Sequence, residues 1–310
     1  MPSSIEKVYS KLRQGTAAAL RENLWLAPAA TIAGLAALGA TIVFRSHYLI
    51  LCGAAAWVVI TAFVWGYSTR AFSMPQWPAL RHLHRRQYAE TWDTMAGSSR
   101  AARVAVSGKA WEWELRDSTR EPVRNLIELA SINADDDVLE IGSGIARLGL
   151  ELAPRCHSWT GADISPSMLA HATQRLQGVG NVKLHQLHGD GLAGLGDDSF
   201  DIVYCTNTLA HVDELDRWRY VQEAFRVLRP GGRIFLDNID LASDQGWAMF
   251  LGLVAKYRHA EQPPYMTRFS TATELMTYAI RAGFEQVRSH QRPPLVIMTA
   301  VKPNPDSAVG

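Results

Sequence analysis

A glycine turn gives this sequence its first chemical signal. Residues 138–141 form a short, mostly apolar run with β-branched ends, which predicts a buried strand. Gly142-Ser143-Gly144 follows, and a helical pattern begins directly after it. Glycines lack a Cβ, so backbone N–H groups here can approach a ligand closely. A dinucleotide-binding fingerprint would place a third glycine at Arg147, so the turn matches that fingerprint only loosely.

Acidic residues and turns after the next apolar runs extend this signal. Asp163 ends the run at 159–162, about twenty residues past the glycine turn, where a ribose hydroxyl pair needs an acceptor. Asp190-Gly191 follows the run at 182–187. The further features are a strand pattern at 201–205 and a Pro-Gly-Gly turn at 230–232 before a strand at 233–238.

This order of motifs resembles the class I S-adenosylmethionine-dependent methyltransferases, in particular the branch with quinone-biosynthesis and small-molecule enzymes. The resemblance covers about residues 119–302. It implies an α/β fold with a doubly wound, mostly parallel, seven-stranded Rossmann-like sheet, and S-adenosylmethionine as the cofactor. A nicotinamide-dependent dehydrogenase is the structural rival, and both Asp190-Gly191 and the Pro-Gly-Gly turn argue against it.

The resemblance also implies which residues hold the donor. They lie where strands end: Glu140, Gly142, Ser143, Gly144, Asp163, Ile164, Asp190, Gly191 and Thr206. Asp163 would accept from the ribose hydroxyls, although a plain helix N-terminal acid is the alternative. Asp190 would accept from the adenine amino group, and Ile164 would pack on the adenine ring.

Methyl transfer from a sulfonium needs mainly positioning and exclusion of water. A base is required only when the acceptor must lose a proton, and His211, after the fourth strand, is the candidate. The candidates for the acceptor pocket are Tyr88, Trp92, Asp237, Tyr257 and Tyr265. No residue group has metal-ligand spacing, so we predict no metal.

Two long uncharged runs precede this region. Residues 26–44 and 48–67 contain nineteen and twenty residues without a charge. Each is long enough to cross a hydrocarbon core of roughly 30 Å. We therefore predict a transmembrane hairpin over 24–68, after a cytoplasmic segment at 1–23, and small residues on its first helix favour close packing within or between chains. The alternatives are a signal peptide followed by a core helix, or a buried soluble hairpin.

The charge distribution predicts the orientation and the partners. Four Lys or Arg precede the hairpin and four follow it closely, with only Arg45 between its two runs. Both termini and the catalytic domain should therefore be cytoplasmic. Residues 1–90 carry a net charge of +6 and the remainder −5, so the catalytic part lacks the basic excess of a nucleic-acid-binding domain. Three cysteines without metal-like spacing indicate free thiols.

The hairpin should be followed by a linker and cap helices at 69–130, the methyltransferase domain at 131–303 and a loose tail at 304–310. The cap region should contain a helix at 79–94 and a largely helical stretch at 97–131, broken near Ser107-Gly108, with a helix from Pro122 docking on the sheet. An unusually apolar helix at 244–257 has three interpretations: a core helix, a wall of the substrate pocket, or a contact with the bilayer.

The sequence thus predicts a membrane-anchored methyltransferase that acts on a lipophilic small molecule, such as a quinone precursor, a prenylated or terpenoid metabolite, or a lipid. Phospholipid head-group N-methylation is one alternative. A non-catalytic, membrane-tethered scaffold that only binds the donor is another.

Overall fold

The computed structural model describes residues 60, 78–189 and 191–304, with backbone only for 78–86. The chain divides into two compact units after Trp77, and the second is the one described below. The predicted membrane runs (apart from Ile60) and Asp190 lie outside the described residues. No helix of the described part is both long and apolar enough to cross a membrane.

Seven strands form one mixed sheet in the order β3-β2-β1-β4-β5-β7-β6. Strands β1 to β5 run parallel, and β7 lies antiparallel between β5 and β6. The strand bounds are β1 Asp137–Ile141, β2 Ser158–Asp163, β3 Val182–Gln186, β4 Phe200–Cys205, β5 Leu228–Ile239, β6 Glu285–Arg292 and β7 Leu295–Val301. This confirms the predicted doubly wound, Rossmann-like sheet.

Successive residues of a strand point to opposite faces of the sheet, and here both faces are apolar. Helices therefore cover both faces. On one face Leu139 and Val203 pack with residues of α6 and α8. On the other, Val138 and Ile202 pack with residues of α3, α4 and α5. The helix bounds are α1 Pro78–Met95, α2 Ser99–Ser107, α3 Glu112–Leu129, α4 Arg147–Leu152, α5 Pro166–Arg175, α6 Glu214–Val227, α7 Asp244–Lys256 and α8 Ala272–Ala282.

Two predicted boundaries are wrong, although the break after Ser107 is confirmed by a left-handed Gly108. Helix α3 begins at Glu112, ten residues before Pro122, because acidic residues in its first turn favour an earlier start. Strand β5 begins at Leu228 and includes the Pro-Gly-Gly segment. Leu228 already pairs with Phe200, so the glycines make an irregularity within the ladder and not a turn before it.

Candidate active site

A cavity of about 650 Å³ opens at the carboxyl ends of the parallel strands. This edge is where open α/β sheets bind ligands. Eleven of the predicted site residues line it: Tyr88, Trp92, Glu140, Gly142, Ser143, Gly144, Asp163, Ile164, Gly191, Thr206 and His211. The cavity therefore joins the predicted donor residues to part of the predicted acceptor pocket.

The glycine turn shapes the cavity without offering its own N–H groups. The Gly142 and Ser143 N–H groups both donate to the Ala162 carbonyl, at 2.8 and 3.0 Å. The Gly144 N–H donates to Asp163 Oδ2 at 2.7 Å. The sequence suggested backbone donors for a ligand, but these three groups already bind acceptors within the protein. The turn instead allows close approach by lacking side chains.

Gly142 has a second constraint, from the loop after β4. Its φ is +73°, and a Cβ built there would lie 2.1 Å from Thr208 Oγ1. Thr208 Oγ1 donates to the Gly142 carbonyl at 3.3 Å. The Thr208 side chain therefore packs directly on the backbone of Gly142, and there is no room for a larger residue at position 142.

We expect Gly142→Ala to destabilise the domain by about 3 kcal/mol, since it adds both a left-handed alanine and an overlap with Thr208. Gly178→Ala is the matched control, because Gly178 has a similar φ of +84° but no described atom near its Cβ position. That variant should lose only about 1 kcal/mol. Equal losses in urea unfolding would show that the contact with Thr208 contributes nothing.

Asp163 ends β2 beneath the turn and is 7% exposed. Its Oδ1 accepts from the Ser165 N–H at 2.9 Å, as Oδ2 accepts from Gly144. Burial raises the pKa of its carboxyl, and the backbone donors around it oppose that rise. Each carboxylate oxygen has a second lone pair, so Asp163 can fix the turn and still accept from a ligand hydroxyl.

Glu140 is the end of a buried chain of hydrogen bonds. Trp159 Nε1 donates to the Tyr204 hydroxyl at 3.0 Å, and that hydroxyl donates to Glu140 Oε2 at 2.6 Å. Burial raises the pKa of Glu140 to about 8, although the Tyr204 hydroxyl and the positive charge of Arg147 both oppose the shift. The cavity floor thus holds a carboxyl that a cationic ligand would ionise.

Arg147 is a site residue that the sequence interpretation missed. It lines the cavity, is 8% exposed and has an Nη1 atom without a hydrogen-bond partner among the described residues. Ser143 Oγ lines the same cavity and is likewise unpartnered there. One signal was available: a cation in the first turn of a helix opposes the helix dipole, so its presence in α4 calls for another reason. Buried, unpartnered donors indicate a missing anionic or polar ligand.

The loop after β4 carries His211. Its Nδ1 lies 3.1 Å from the Tyr265 carbonyl. A carbonyl only accepts, so Nδ1 carries the proton and Nε2 of the neutral ring is free to accept one. Burial lowers the pKa of His211, which keeps the ring neutral at pH 7. The Trp92 ring stands edge-on to it, with ring centroids 4.9 Å apart.

Helix α1 covers the cavity with Tyr88 and Trp92, four residues apart and so on one helix face. The helix is fastened by Asp93, whose Oδ1 accepts from Ser165 Oγ at 2.9 Å and from the Ser167 N–H at 2.8 Å. The Ser167 N–H holds the pKa of Asp93 below its usual value. The cap helix is therefore bonded to the segment that directly follows Asp163.

Three predicted pocket residues do not line the cavity. Asp237 is buried, accepts from the Asn207 N–H at 2.9 Å and supports the loop after β4. Burial raises its pKa to about 7. Tyr265 contributes its backbone carbonyl to His211, and Tyr257 caps the end of α7. The structure adds residues absent from the prediction, among them Met249 of α7 and Arg219 of α6.

Comparison with known proteins agrees with this geometry. The sequence profile of a methyltransferase domain matches residues 138–232, from β1 into β5. The chain contains an S-adenosylmethionine-dependent methyltransferase domain. The matched segment includes the glycine turn, Asp163 and His211. S-adenosylmethionine is accordingly the cofactor of this domain, as the sequence predicted.

Relatives of the methyltransferase domain include quinone-pathway enzymes. The ubiquinone biosynthesis O-methyltransferase of Pseudomonas fluorescens is 30% identical over 140 residues, which are 42% of this chain and 59% of that protein. An uncharacterised methyltransferase of Bacillus subtilis is 33% identical over 113 residues, 36% of this chain and 44% of that protein. The chain thus spans less than two thirds of either relative.

Among solved structures, the methyltransferase domain resembles magnesium protoporphyrin IX methyltransferase from Synechocystis, determined with bound S-adenosylhomocysteine. The TM-score is 0.52 at 16% identity, covering 71% of this chain and 99% of that one. At this identity the likeness shows a shared fold.

Proposed function

We propose that the protein methylates a lipophilic small molecule that resides in a membrane. The observation that carries this proposal is the composition of the cavity. The cavity is lined both by the glycine turn, Asp163 and Arg147 and by the rings of Tyr88 and Trp92 with the thioether of Met249. A polar donor and an apolar acceptor would thus meet in one enclosure, next to His211.

The residues present fit S-adenosylmethionine. The glycine turn lines the cavity, and Asp163 keeps acceptor capacity for ribose hydroxyls. The unpartnered Ser143 Oγ and Arg147 Nη1 are the donors that the carboxylate of its amino-acid end requires. Glu140 offers a carboxyl to its positive charges. Bound there, the cofactor supplies an electrophilic methyl group on a sulfonium.

The chain's own contribution would be positioning, dehydration and proton removal. Tyr88 and Trp92 exclude water from the acceptor side and pack against an apolar acceptor. His211 Nε2 is the acceptor for a proton from a phenol or a carbon acid. This favours a quinone-like acceptor over a phospholipid amine, which needs no strong base.

The sequence before the domain supports a membrane location. Two uncharged runs at 26–44 and 48–67 have the length of a transmembrane hairpin, and the basic flanks favour a cytoplasmic domain. A freely soluble acceptor would give the enzyme no obvious use for such a tether. Homo-oligomers through the hairpin are compatible with this arrangement.

Calorimetry and a labelling assay would test the function. Full-length protein in detergent should bind S-adenosylmethionine, Asp163→Ala should weaken that binding, and labelled methyl should pass to a component of a membrane lipid extract. Binding without transfer to any lipid or quinone precursor would instead favour a donor-binding scaffold. Transfer only to phospholipid amines would replace the proposed acceptor class.

Donor binding should be coupled to proton release at Glu140. Below its pKa of about 8 the buried carboxyl is largely protonated, and a cationic ligand favours its ionised form. The affinity for S-adenosylmethionine should therefore rise with pH up to that value and then level, by at most about tenfold per pH unit. S-adenosylhomocysteine shares the α-amino group but lacks the sulfonium charge, so its affinity should rise less.

Calorimetry in buffers of different ionisation enthalpy counts the released protons. The matched variant is Glu140→Gln. In this variant the ratio of the affinities for S-adenosylmethionine and S-adenosylhomocysteine should no longer change with pH. If the ratio changes with pH equally in wild type and variant, another group releases the proton.

A further inference from the structure

Helix α7 carries an apolar face toward solvent. Trp247, Leu251 and Val254 are each 49% exposed. Their spacing of four and three residues places them on one side of the helix. We call these three residues the α7 apolar face.

The helix is attached to the domain by few contacts. Within α7 only Gly246 is buried, and a Cβ there would lie 1.9 Å from the Asp240 carbonyl oxygen. Phe250 stands edge-on to Phe269 with ring centroids 5.7 Å apart. The interpretation of 244–257 as a core helix is therefore wrong, because its large side chains mostly remain uncovered. Met249 lines the cavity, so α7 is part of the pocket wall.

We propose that the α7 apolar face docks into the surface of the lipid bilayer and brings the cavity mouth against the membrane. This rests on the proposed function, whose acceptor is lipophilic. A tryptophan with two aliphatic side chains on one helix face suits the boundary between head groups and acyl chains. Lys256 and Arg258 are exposed at the end of the helix, where they can contact anionic head groups.

The chain before the domain argues for the membrane as the occupant. Ten residues, 68–77, separate the second uncharged run from Pro78. They span at most about 35 Å when fully extended. If that run spans the bilayer, the domain cannot move far from it. One helix would then present Met249 to the cavity and the α7 apolar face to lipid, which gives an apolar acceptor a route between the two.

Fluorescence quenching in full-length protein tests this docking. Leu251→Cys is labelled with a bimane fluorophore in a Cys52→Ser background, since Cys156 and Cys205 are buried. The protein is reconstituted into vesicles of phosphatidylcholine and phosphatidylglycerol that contain a lipid with a nitroxide near the head group. Ile280→Cys is the matched control, being 56% exposed on α8.

The expected result is a loss of roughly half of the fluorescence at residue 251 and little loss at residue 280. Equal quenching at both residues overturns the proposal. Absence of quenching at 251 together with a concentration-dependent dimer also overturns it, in favour of a second copy as the occupant.

A kinetic variant separates this inference from the proposed function. Leu251→Glu with Val254→Glu should lower turnover of a vesicle-borne acceptor about tenfold and leave turnover of the same acceptor in detergent unchanged. Normal turnover in vesicles by this variant contradicts the docking proposal and leaves the proposed function unaffected. Quenching at 251 without methyl transfer to any lipophilic acceptor supports the docking and removes the function.

Discussion

Replacing Arg147 with methionine should weaken binding of S-adenosylmethionine about thirtyfold, the value of one buried, charge-assisted hydrogen bond. Methionine keeps most of the apolar stem and removes the guanidinium. Arg147 Nη1 and Ser143 Oγ are buried donors without a hydrogen-bond partner among the described residues, and both side chains belong to residues that line the cavity. Calorimetry with purified full-length protein measures the change.

Methylthioadenosine supplies the control, because it has the adenosine and the sulfur but lacks the amino-acid end. Its affinity should be the same in wild type and in Arg147→Met. An equal loss for both ligands would mean that the variant perturbs the whole cavity, and would contradict the assigned contact. Ser143→Ala should show the same selectivity with a smaller loss.

Replacing His211 with alanine should lower kcat by a factor of about 10² to 10⁴ for acceptors that must lose a proton. The expected acid limb of the wild-type pH–rate profile lies below pH 6.5, because burial lowers the pKa of the imidazole. The base is active when neutral, so the rate should fall as pH drops through that pKa. In the variant this limb should disappear.

The choice of acceptor makes this experiment decisive. An amine acceptor, which needs no base, should keep its kcat within a few-fold in His211→Ala. His290→Ala is a control for the loss of a histidine elsewhere, since His290 lies on β6 and pairs with Thr299. Unchanged turnover of a phenolic acceptor by His211→Ala would remove the histidine as base.

The sequence was most informative where local pattern and topology coincide. The carboxyl ends of parallel strands meet at one edge of a sheet. The sequence alone therefore predicts that residues 140–144, 163 and 206 lie close together, and all three groups contribute to the cavity lining. Asp163 shows the limit of that reasoning. Its spacing predicted a ribose acceptor, but its bonds to the Gly144 and Ser165 N–H groups depend on the folded turn.

Residues outside that logic were misplaced or missed. Asp237 lies near the end of β5, at the same edge of the sheet, but its carboxylate accepts from the Asn207 N–H in the loop after β4. Sequence spacing does not predict that bond. Arg147 departed from the glycine pattern and so counted as a mismatch. Its importance follows from burial and from the unpartnered Nη1, which are properties of the three-dimensional site.

The bonds from Asp93 to Ser165 and Ser167 have a kinetic consequence. Helix α1 walls the acceptor side with Trp92 and is fastened beside Asp163 on the donor side. A donor bound at Asp163 would lie next to that helix, and an acceptor seated against Trp92 would pack the helix over it. Turnover should therefore be ordered, with S-adenosylmethionine binding first and S-adenosylhomocysteine leaving last, so that this product competes with the donor and not with the acceptor.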